Sequence, residues 1–258
     1  MKIAQMSDTH MGITKPKSLR KMFNKMKNGR EENPFDIILH NGDFCGGTKG
    51  YKTVNGTILL LREFFPDTPI VANIGNHDFW WLGYKDKNRR DENWKYFYPS
   101  YHDFCENYEK ILAIFKTHNI HFLDEDGPYR HKDFPGTVMV GHTGWYNNPK
   151  FTNDYNFLPI GLEGDTYNYM VRRAQNGLYK NLDLLTEKDT KVLFSSHFPV
   201  IAPSDWGWFS SIADMMTRDY GTTFFFCGHA HELHQGPLRW ECGPDYHKPA
   251  YQIVDTAK

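Results

Sequence analysis

A chain of 258 residues can bury one sizeable hydrophobic core, and a single α/β domain of this length is ordinary. Its formal net charge of -1, with 24% charged residues, excludes the global basic field typical of nucleic-acid-binding proteins. We find no secretory signal at the N-terminus, no apolar run long enough to span a bilayer, and four cysteines without CxxC spacing. We therefore expect one cytoplasmic domain over residues 1–258, with reduced thiols and no membrane partner.

Short apolar runs and amphipathic stretches alternate along the chain. The predicted strands cover residues 2–7, 36–40, 70–74, 137–140, 191–195 and 222–227. The predicted helices cover residues 16–27, 54–65, 105–118, 165–185 and 210–218. The first helix has one apolar face, formed by Leu19, Met22, Phe23 and Met26. Strands that alternate with helices favour parallel pairing and an α/β fold, and we expect residues 238–240 and 251–254 to close it as antiparallel strands.

Two segments interrupt this alternation, an aromatic-rich insertion or cap around residues 79–104 and a long loop around residues 141–164. The first interleaves tyrosines and tryptophans with lysines and arginines. That mixture is compatible with stacking nucleic-acid bases and holding phosphates, or with a rim that packs its own aromatics over the sheet edge. We favour the rim, because Asp86, Asp91 and Glu92 dilute the positive charge.

Five short polar blocks stand where apolar runs break off. They are Asp8-Thr9-His10, Gly42-Asp43, Gly75-Asn76-His77-Asp78, Ser196-His197 and Gly228-His229-Ala230-His231. They supply three carboxylates, one amide and five imidazoles. Gly42 permits a sharp turn that frees the Asp43 carboxylate to bridge two cations. Mixed oxygen and imidazole ligands suit manganese, iron, zinc or nickel, and argue against calcium or a thiolate-rich zinc site.

The ordered blocks resemble the signature of the calcineurin-like metallophosphoesterase superfamily, from near the first residue to about the last tenth of the chain. The resemblance implies an α/β fold, a two-sheet β-sandwich flanked by helices, with a dinuclear metal site at the strand ends. It implies one ion held by Asp8, His10, Asp43 and His231. It implies a second ion held by Asp43, Asn76, His197 and His229. It also implies that His77 faces the leaving group, with Asp78 holding it from behind.

The chemistry that follows is hydrolysis of a small phosphomonoester or phosphodiester, by in-line attack of a hydroxide shared between two ions. Manganese is our first choice, with iron, zinc and nickel as alternatives. Asn76, His142 and Trp145 are candidate substrate contacts, although an ordinary strand-end role for His142 is an equal alternative. His40 fits either a role in orienting a ligand or simple burial.

Two departures from the protein Ser/Thr phosphatases of the superfamily favour its small phosphoesterase and phosphodiesterase branches. Gly46 and Gly47 stand where those enzymes carry an aspartate and an arginine, and Asp78 stands where they have glutamate. One alternative is a DNA nuclease, because the opening Ser7-Asp8-Thr9-His10-Met11-Gly12 is similar to that of the break-repair nucleases. Those proteins are typically longer and carry an added DNA-capping region. We see no room for such a region in this sequence, so nucleic acid is not the favoured partner. A second alternative is a catalytically silent scaffold, which should lack ligands, whereas every ligand position here is filled. The sequence leaves the substrate and the oligomeric state open.

Overall fold

The computed structural model describes residues 1–46, 50–79, 101–143, 164–198, 208–228, 233–235, 240–242 and 248–257. The strands are β1 (Lys2–Met6), β2 (Ile37–Asn41), β3 (Ile70–Asn73), β4 (Ile120–Phe122), β5 (Tyr129–Arg130), β6 (Thr137–His142), β7 (Lys191–Ser196), β8 (Phe224–Cys227), β9 (Leu233–Gln235), β10 (Trp240–Cys242) and β11 (Gln252–Asp255). The helices are α1 (Pro16–Asn28), α2 (Tyr51–Phe64), α3 (Asn76–Phe79), α4 (Tyr101–Thr117), α5 (Leu123–Asp126), α6 (Gly164–Asp183) and α7 (Trp208–Tyr220).

The strands form two mixed sheets, which confirms the predicted two-sheet architecture. The first sheet has the order β11-β1-β2-β3-β4, in which β1 to β4 are parallel and β11 is antiparallel to β1. The second has the order β5-β6-β7-β8-β10-β9, in which β6, β7, β8 and β10 are parallel. Its edge strands β5 and β9 are antiparallel to their neighbours.

Apolar side chains on both faces of the strands account for this layering. One buried cluster draws its residues from strands of both sheets and fills the space between them; it includes Ile3, Leu39, Val71, Leu193 and Phe226. A second cluster joins the other strand faces to the helices. Because parallel strands are covered on both faces, they read as continuous apolar runs in the sequence.

Helix α1 buries the face that the periodicity predicts, Leu19, Met22, Phe23 and Met26. Pro16 at its first turn is pre-set for a helix start, where its missing N–H leaves no bond unmade. Helix α2 begins at Tyr51, three residues before the predicted start, and ends at Phe64 before Pro66. Its Leu59, counted in the apolar run, is half exposed.

Several predicted boundaries were wrong, and short edge elements were missed. Helix α4 begins at Tyr101, four residues before the predicted start. The closing strand predicted at 238–240 lies instead at β10, where it pairs with β8 as well as with β9. Strands β4, β5 and β9 have two or three residues each, too few to show an alternating pattern.

The described part of the chain contains no helix that combines the length and hydrophobicity needed to cross a membrane. Cys45, Cys105 and Cys227 are free thiols, two of them buried, as the sequence predicts.

Candidate metal centre

The loops that follow β1 and β2 run side by side and carry the first two polar blocks. The backbone N–H of Asp8 donates to the Gly42 carbonyl at 3.0 Å, and that of His10 donates to the Asp43 carbonyl at 3.0 Å. These bonds continue the parallel pairing of β1 and β2 past the ends of both strands. The first two blocks are therefore held beside each other by backbone, independently of their side chains.

The backbone of these loops is strained at the candidate ligands. Four non-glycine residues in the described chain have positive φ, and three of them are Asp8 at 50°, His10 at 42° and Asp43 at 55°. The left-handed region disfavours residues with a Cβ, and such strain concentrates at functional sites. Asp8, His10 and Asp43 are thus held in conformations that aim their side chains at one place.

Gly42 is required where it stands. Its φ is 91°, and a Cβ there would lie 2.6 Å from the Gly75 nitrogen and 2.8 Å from Nδ1 of His197. A larger residue would push the loops after β2 and β3 apart and displace the imidazole. The sharp turn predicted before Asp43 is therefore confirmed.

The side chains converge in a buried cluster. Nε2 of His10 lies 3.6 Å from Oδ1 of Asp8 and 3.7 Å from Oδ2 of Asp43. Nε2 of His197 lies 3.6 Å from the same Oδ2 of Asp43. Among the described residues, candidate ligand atoms within 4.8 Å of one another form two groups, Asp8 with Asp43 and His197, and His10 with Asp43 and His77. Asp43 belongs to both groups, and it joins the two halves of the cluster.

The donor set fits divalent metal ions. Oδ1 of Asp43 accepts a hydrogen bond from the His77 N–H at 2.8 Å, whereas buried Oδ2 finds no hydrogen-bond donor within the described ranges. Bonds from imidazole and carboxylate to ions such as zinc are about 2.0–2.2 Å long, so donors 3.6–3.7 Å apart can share one ion. A buried carboxylate oxygen that faces two imidazole nitrogens is well placed to bind a cation.

Electrostatics point in the same direction. Burial, together with the neighbouring charges of Asp8 and Asp78, holds the pKa of Asp43 well above its ordinary value. Three carboxylates crowded away from water disfavour their own ionisation. Two bound cations would compensate this repulsion and keep all three carboxylates charged.

Asp78 makes contacts that the sequence did not predict. Its Oδ2 accepts from the N–H of Asp43 at 3.0 Å and of Gly75 at 2.9 Å, and its Oδ1 accepts from the N–H of Cys45 at 2.9 Å. Burial raises the pKa of Asp78 to about 7, while the hydrogen bonds from Gly75 and Cys45 act to lower it. The carboxylate ties the loop after β2 to the loop after β3. The support of the His77 ring by Asp78 stays a prediction.

His77 differs from the other described histidines of the cluster in its solvent exposure. It is 8% exposed, whereas His10 and His197 are both 0% exposed. Its ring stands edge-on to that of His10, with the centroids 4.7 Å apart. His77 therefore lies at the accessible side of the cluster and within ligand distance of it, so both a substrate contact and a ligand role are geometrically open.

His197 is oriented by backbone. Its Nδ1 lies 2.7 Å from the carbonyl oxygen of Asn41, at the end of β2. An N–H at Nδ1 leaves Nε2 as the lone-pair nitrogen, and Nε2 is the atom that faces Asp43. This contact fixes both the tautomer and the orientation that a metal ligand needs.

Two further histidines, His40 and His142, are fully buried. His40 lies 3.1 Å from the Thr9 hydroxyl and stacks on Phe44, with the ring centroids 3.6 Å apart, so it packs between the two loops. His142 ends β6 and contacts the Phe194 ring edge-on. Burial lowers the pKa of His40 to about 3 and that of His142 to about 4, which keeps both neutral. The substrate role of His142 stays a prediction.

Four of the predicted site residues fall wholly or partly outside the described residues. Asn76 begins α3, but its side chain is not described. Trp145, His229 and His231 lie in ranges that are not described. Gly228, directly before His229, adjoins the cluster, since a Cβ on it would lie 2.7 Å from Oδ2 of Asp8.

Sequence reasoning missed a polar layer directly beneath the cluster. Asn41 donates through Nδ2 to Oγ of Ser195 at 2.9 Å, and to the carbonyls of Ser196 at 3.2 Å and Phe226 at 3.3 Å. Gln5 donates through Nε2 to Oδ1 of Asn41 at 2.9 Å. These bonds link β1 and β2 of the first sheet to β7 and β8 of the second. The signal was present in the sequence, because an amide side chain on a buried strand has to find hydrogen-bond partners.

Two mixed sheets flanked by helices bring buried carboxylates and imidazoles together at the strand ends, which is an arrangement suited to holding metal ions. The sequence matches the family model described as calcineurin-like phosphoesterase over residues 1–233, and the chain belongs to that family. The protein is therefore a metal-dependent phosphoesterase, and the family implies a dinuclear divalent metal site. The silent-scaffold alternative receives no support from this match. No curated protein sequence matches the chain significantly.

Several solved structures share the fold at low sequence identity. A protein from Thermus thermophilus has a TM-score of 0.55 at 10% identity, covering 95% of this chain and 89% of that one. A dimetal phosphatase from Danio rerio has a TM-score of 0.52 at 12% identity, covering 98% and 91%. GAP50, the anchor in the inner membrane complex of Plasmodium, has a TM-score of 0.51 at 11% identity, covering 94% and 71%. At these identities the likeness concerns the fold alone.

Proposed function

We propose that the protein hydrolyses small phosphomonoesters or phosphodiesters with two divalent ions, manganese being the first choice. The proposed ligands are Asp8, His10, Asp43, Asn76, His197, His229 and His231. The proposed groups that face the substrate are His77, Asn76, His142 and Trp145. Within this set, Asp43 would be the ligand that both ions share.

The observation that carries this proposal is the position of Asp43. Its carboxylate is common to both groups of candidate ligand atoms, and its buried Oδ2 faces an imidazole nitrogen on each side at 3.6–3.7 Å. A carboxylate between two clusters suits a pair of ions a few ångströms apart.

The residues around Asp43 divide the work of phosphoester hydrolysis among them. Two divalent ions, when bound, supply Lewis acidity that lowers the pKa of water and neutralises charge on a phosphoryl group. Asp8, Asp43, His10 and His197 hold the charge in a buried site, where electrostatic stabilisation is strong. His77, at the accessible side, is placed to donate a proton or a hydrogen bond to the leaving oxygen.

We propose that substrate contacts come from residues that follow the site's strands in the sequence. Residues 80–100 follow α3 after β3, residues 144–163 follow β6, and residues 199–207 follow β7. Chain segments at the carboxyl ends of parallel strands commonly supply ligand contacts in α/β proteins. His142 and Trp145 adjoin or belong to the second of these segments. We assign the aromatic-rich insertion to the same single domain.

A rate comparison tests the proposal. Purified protein, stripped of metal and reloaded with manganese, zinc, iron or nickel, is assayed on para-nitrophenyl phosphate, its bis-ester, cyclic nucleotides and single-stranded DNA. We expect the highest rates with manganese on one of the small esters. Asp43→Asn serves as the control and should lose at least one ion together with its activity.

Two outcomes would contradict the proposal. Activity on DNA that greatly exceeds activity on small esters and falls steeply with salt would favour a nuclease. An Asp43→Asn protein with full metal occupancy and full rate would remove Asp43 from the centre of the site.

A further inference from the structure

The hydrogen bonds that hold the Asp78 carboxylate in place all come from backbone N–H groups. It is 0% exposed, and it accepts from three N–H groups at 2.9–3.0 Å. Two of the donors, Asp43 and Cys45, belong to the loop after β2, and the third, Gly75, belongs to the loop after β3. A charged acceptor strengthens each of these hydrogen bonds relative to a neutral one.

The contacts between Asp43 and the segment 75–78 are reciprocal. Asp78 accepts from the N–H of Asp43, and Asp43 in turn accepts through Oδ1 from the N–H of His77 at 2.8 Å. The two bonds close a ring between the loops. Within that ring, Oδ1 of Asp43 is committed to backbone, and Oδ2 points at the imidazoles of His10 and His197.

Asp43 needs such a restraint because its φ of 55° lies in the left-handed region. An aspartate relaxes from this conformation unless the surroundings hold it. Asp78 binds the N–H of Asp43 itself and the N–H two residues later, on either side of Phe44. It is therefore placed to keep the strained turn, and with it the direction of the Asp43 side chain.

We propose that Asp78 is a positioning residue that acts on the metal site through the backbone of Asp43, and that it is not a proton-relay partner of the His77 ring. This inference rests on the proposed function in taking Asp43 as a metal ligand. It assigns Asp78 an effect on metal affinity first, and an effect on turnover only through the ions.

The informative variant is Asp78→Asn. An asparagine keeps the shape but offers one carbonyl oxygen and one NH₂ group, so it cannot accept from all three N–H groups. At least one buried donor then faces another donor. Loss of a group that orients a metal ligand typically weakens metal binding or activity by about 10- to 100-fold.

The test measures manganese affinity by calorimetry, the exchange-coupled signal of the manganese pair by electron paramagnetic resonance, and kcat on bis-para-nitrophenyl phosphate. We expect Asp78→Asn to bind at least one ion about 10- to 100-fold more weakly and to lose the coupled signal at wild-type manganese concentrations. Excess manganese should restore part of kcat. In a double variant with His77→Ala, the two losses should multiply, because they act on different atoms.

Asp124→Asn is the matched control. Asp124 is a partly buried carboxylate, and it accepts from the N–H and the hydroxyl of Thr143 at 3.1 and 2.7 Å. It should lose stability while keeping wild-type manganese affinity. If Asp78→Asn does not fold, Asp78→Glu replaces it with the same readouts. Asp78→Glu keeps the charge and both oxygens but shifts them by one methylene, so its manganese affinity should fall below that of the wild type.

Unchanged manganese affinity and an unchanged coupled signal in the folded Asp78 variant would overturn the inference. So would a double variant no slower than His77→Ala alone, since that result couples Asp78 to the His77 ring. A wild-type protein that binds no manganese pair at all would instead defeat the proposed function, which keeps the two failures distinguishable.

Discussion

At the scale of single residues, the open choice for His77 is between binding a metal ion and contacting the substrate. Its ring lies edge-on to His10, close enough to be a ligand, yet it is 8% exposed whereas His10 and His197, the other described histidines of the cluster, are fully buried. Removal of a metal ligand should lower the metal content of the protein, whereas removal of a substrate contact should leave it unchanged. The substitution that removes the ring therefore separates them.

We expect His77→Ala to lower turnover by about two to four orders of magnitude, the usual contribution of a positioned acid or hydrogen-bond donor, with metal content nearly intact. Elemental analysis beside kcat at saturating manganese provides the measurement. His121→Ala is the control, because His121 is half-buried and bonds the Gly127 carbonyl at 2.8 Å, outside the cluster. Loss of both ions in His77→Ala would make His77 a ligand and contradict this role.

At the scale of elements, the polar layer connects the two sheets directly under the site. Besides the bonds of Asn41 and Gln5, Oγ of Ser195 donates to Oδ1 of Asn73 on β3, and Nε2 of Gln252 on β11 donates to Oε1 of Gln5 at 2.7 Å. The chain of bonds thus crosses from β11 through β1 and β2 to β7 and back to β3. Buried polar networks of this kind fix one arrangement of the packed elements when their members are satisfied.

Asn41 is the centre of that layer, and its substitution should affect both stability and metal binding. Asn41→Ala removes a hydrogen bond from Gln5, Ser195 and two buried carbonyls, but Nε2 of Gln5 still donates to the Cys227 carbonyl and Oγ of Ser195 still donates to Asn73. The two carbonyls are left unpaired, which at 1–3 kcal/mol for each costs about 2–6 kcal/mol. The side-chain bonds of Asn41 hold the end of β2 in place, and the backbone carbonyl there orients His197. Because the substitution frees that backbone to shift, we also expect weaker manganese binding. Urea unfolding and calorimetry measure the two effects.

Asn181→Ala is a matched control for Asn41→Ala. Asn181 is buried on α6 and donates to the carbonyls of Leu123 and Gly141 at 2.7 and 3.0 Å, away from the polar layer. It should lose a comparable free energy of unfolding without any change in manganese affinity. Equal metal affinity in Asn41→Ala and the wild type would show that the layer holds the sheets together but does not tune the site.

The sequence could predict those features that depend on side-chain type, and it could not predict those that depend on backbone contacts. The α1 face was predictable because helical periodicity is written in side chains, and the ligand blocks were predictable because each joins rare residue types at a strand end. The contacts of Asp78 were not, because its partners are backbone N–H groups, which nearly every residue carries. The two-sheet arrangement came from the family resemblance, since strands buried on both faces hide the period of two.

At the scale of the whole molecule, the candidate site draws on both sheets. Asp8 and Asp43 follow β1 and β2 of the first sheet, and His197 follows β7 of the second. Ions held between them would cross-link the sandwich at one edge. The buried carboxylates that crowd there, by the repulsion that raises the pKa of Asp43, disfavour the folded protein without those ions.

Metal removal should therefore lower thermal stability in a concentration-dependent way. An ion that binds only the folded state stabilises it by about 2.7 kcal/mol at a concentration 100 times its Kd. For a chain of this length each kcal/mol shifts Tm by about 2–4 °C, so we expect manganese to raise Tm by about 5–10 °C over the chelated protein. Calorimetric scans across a manganese titration measure the shift. Asp43→Asn should show a smaller one, and a Tm that ignores manganese, or rises equally in Asp43→Asn, would mean that the two sheets are not joined through ions at this cluster.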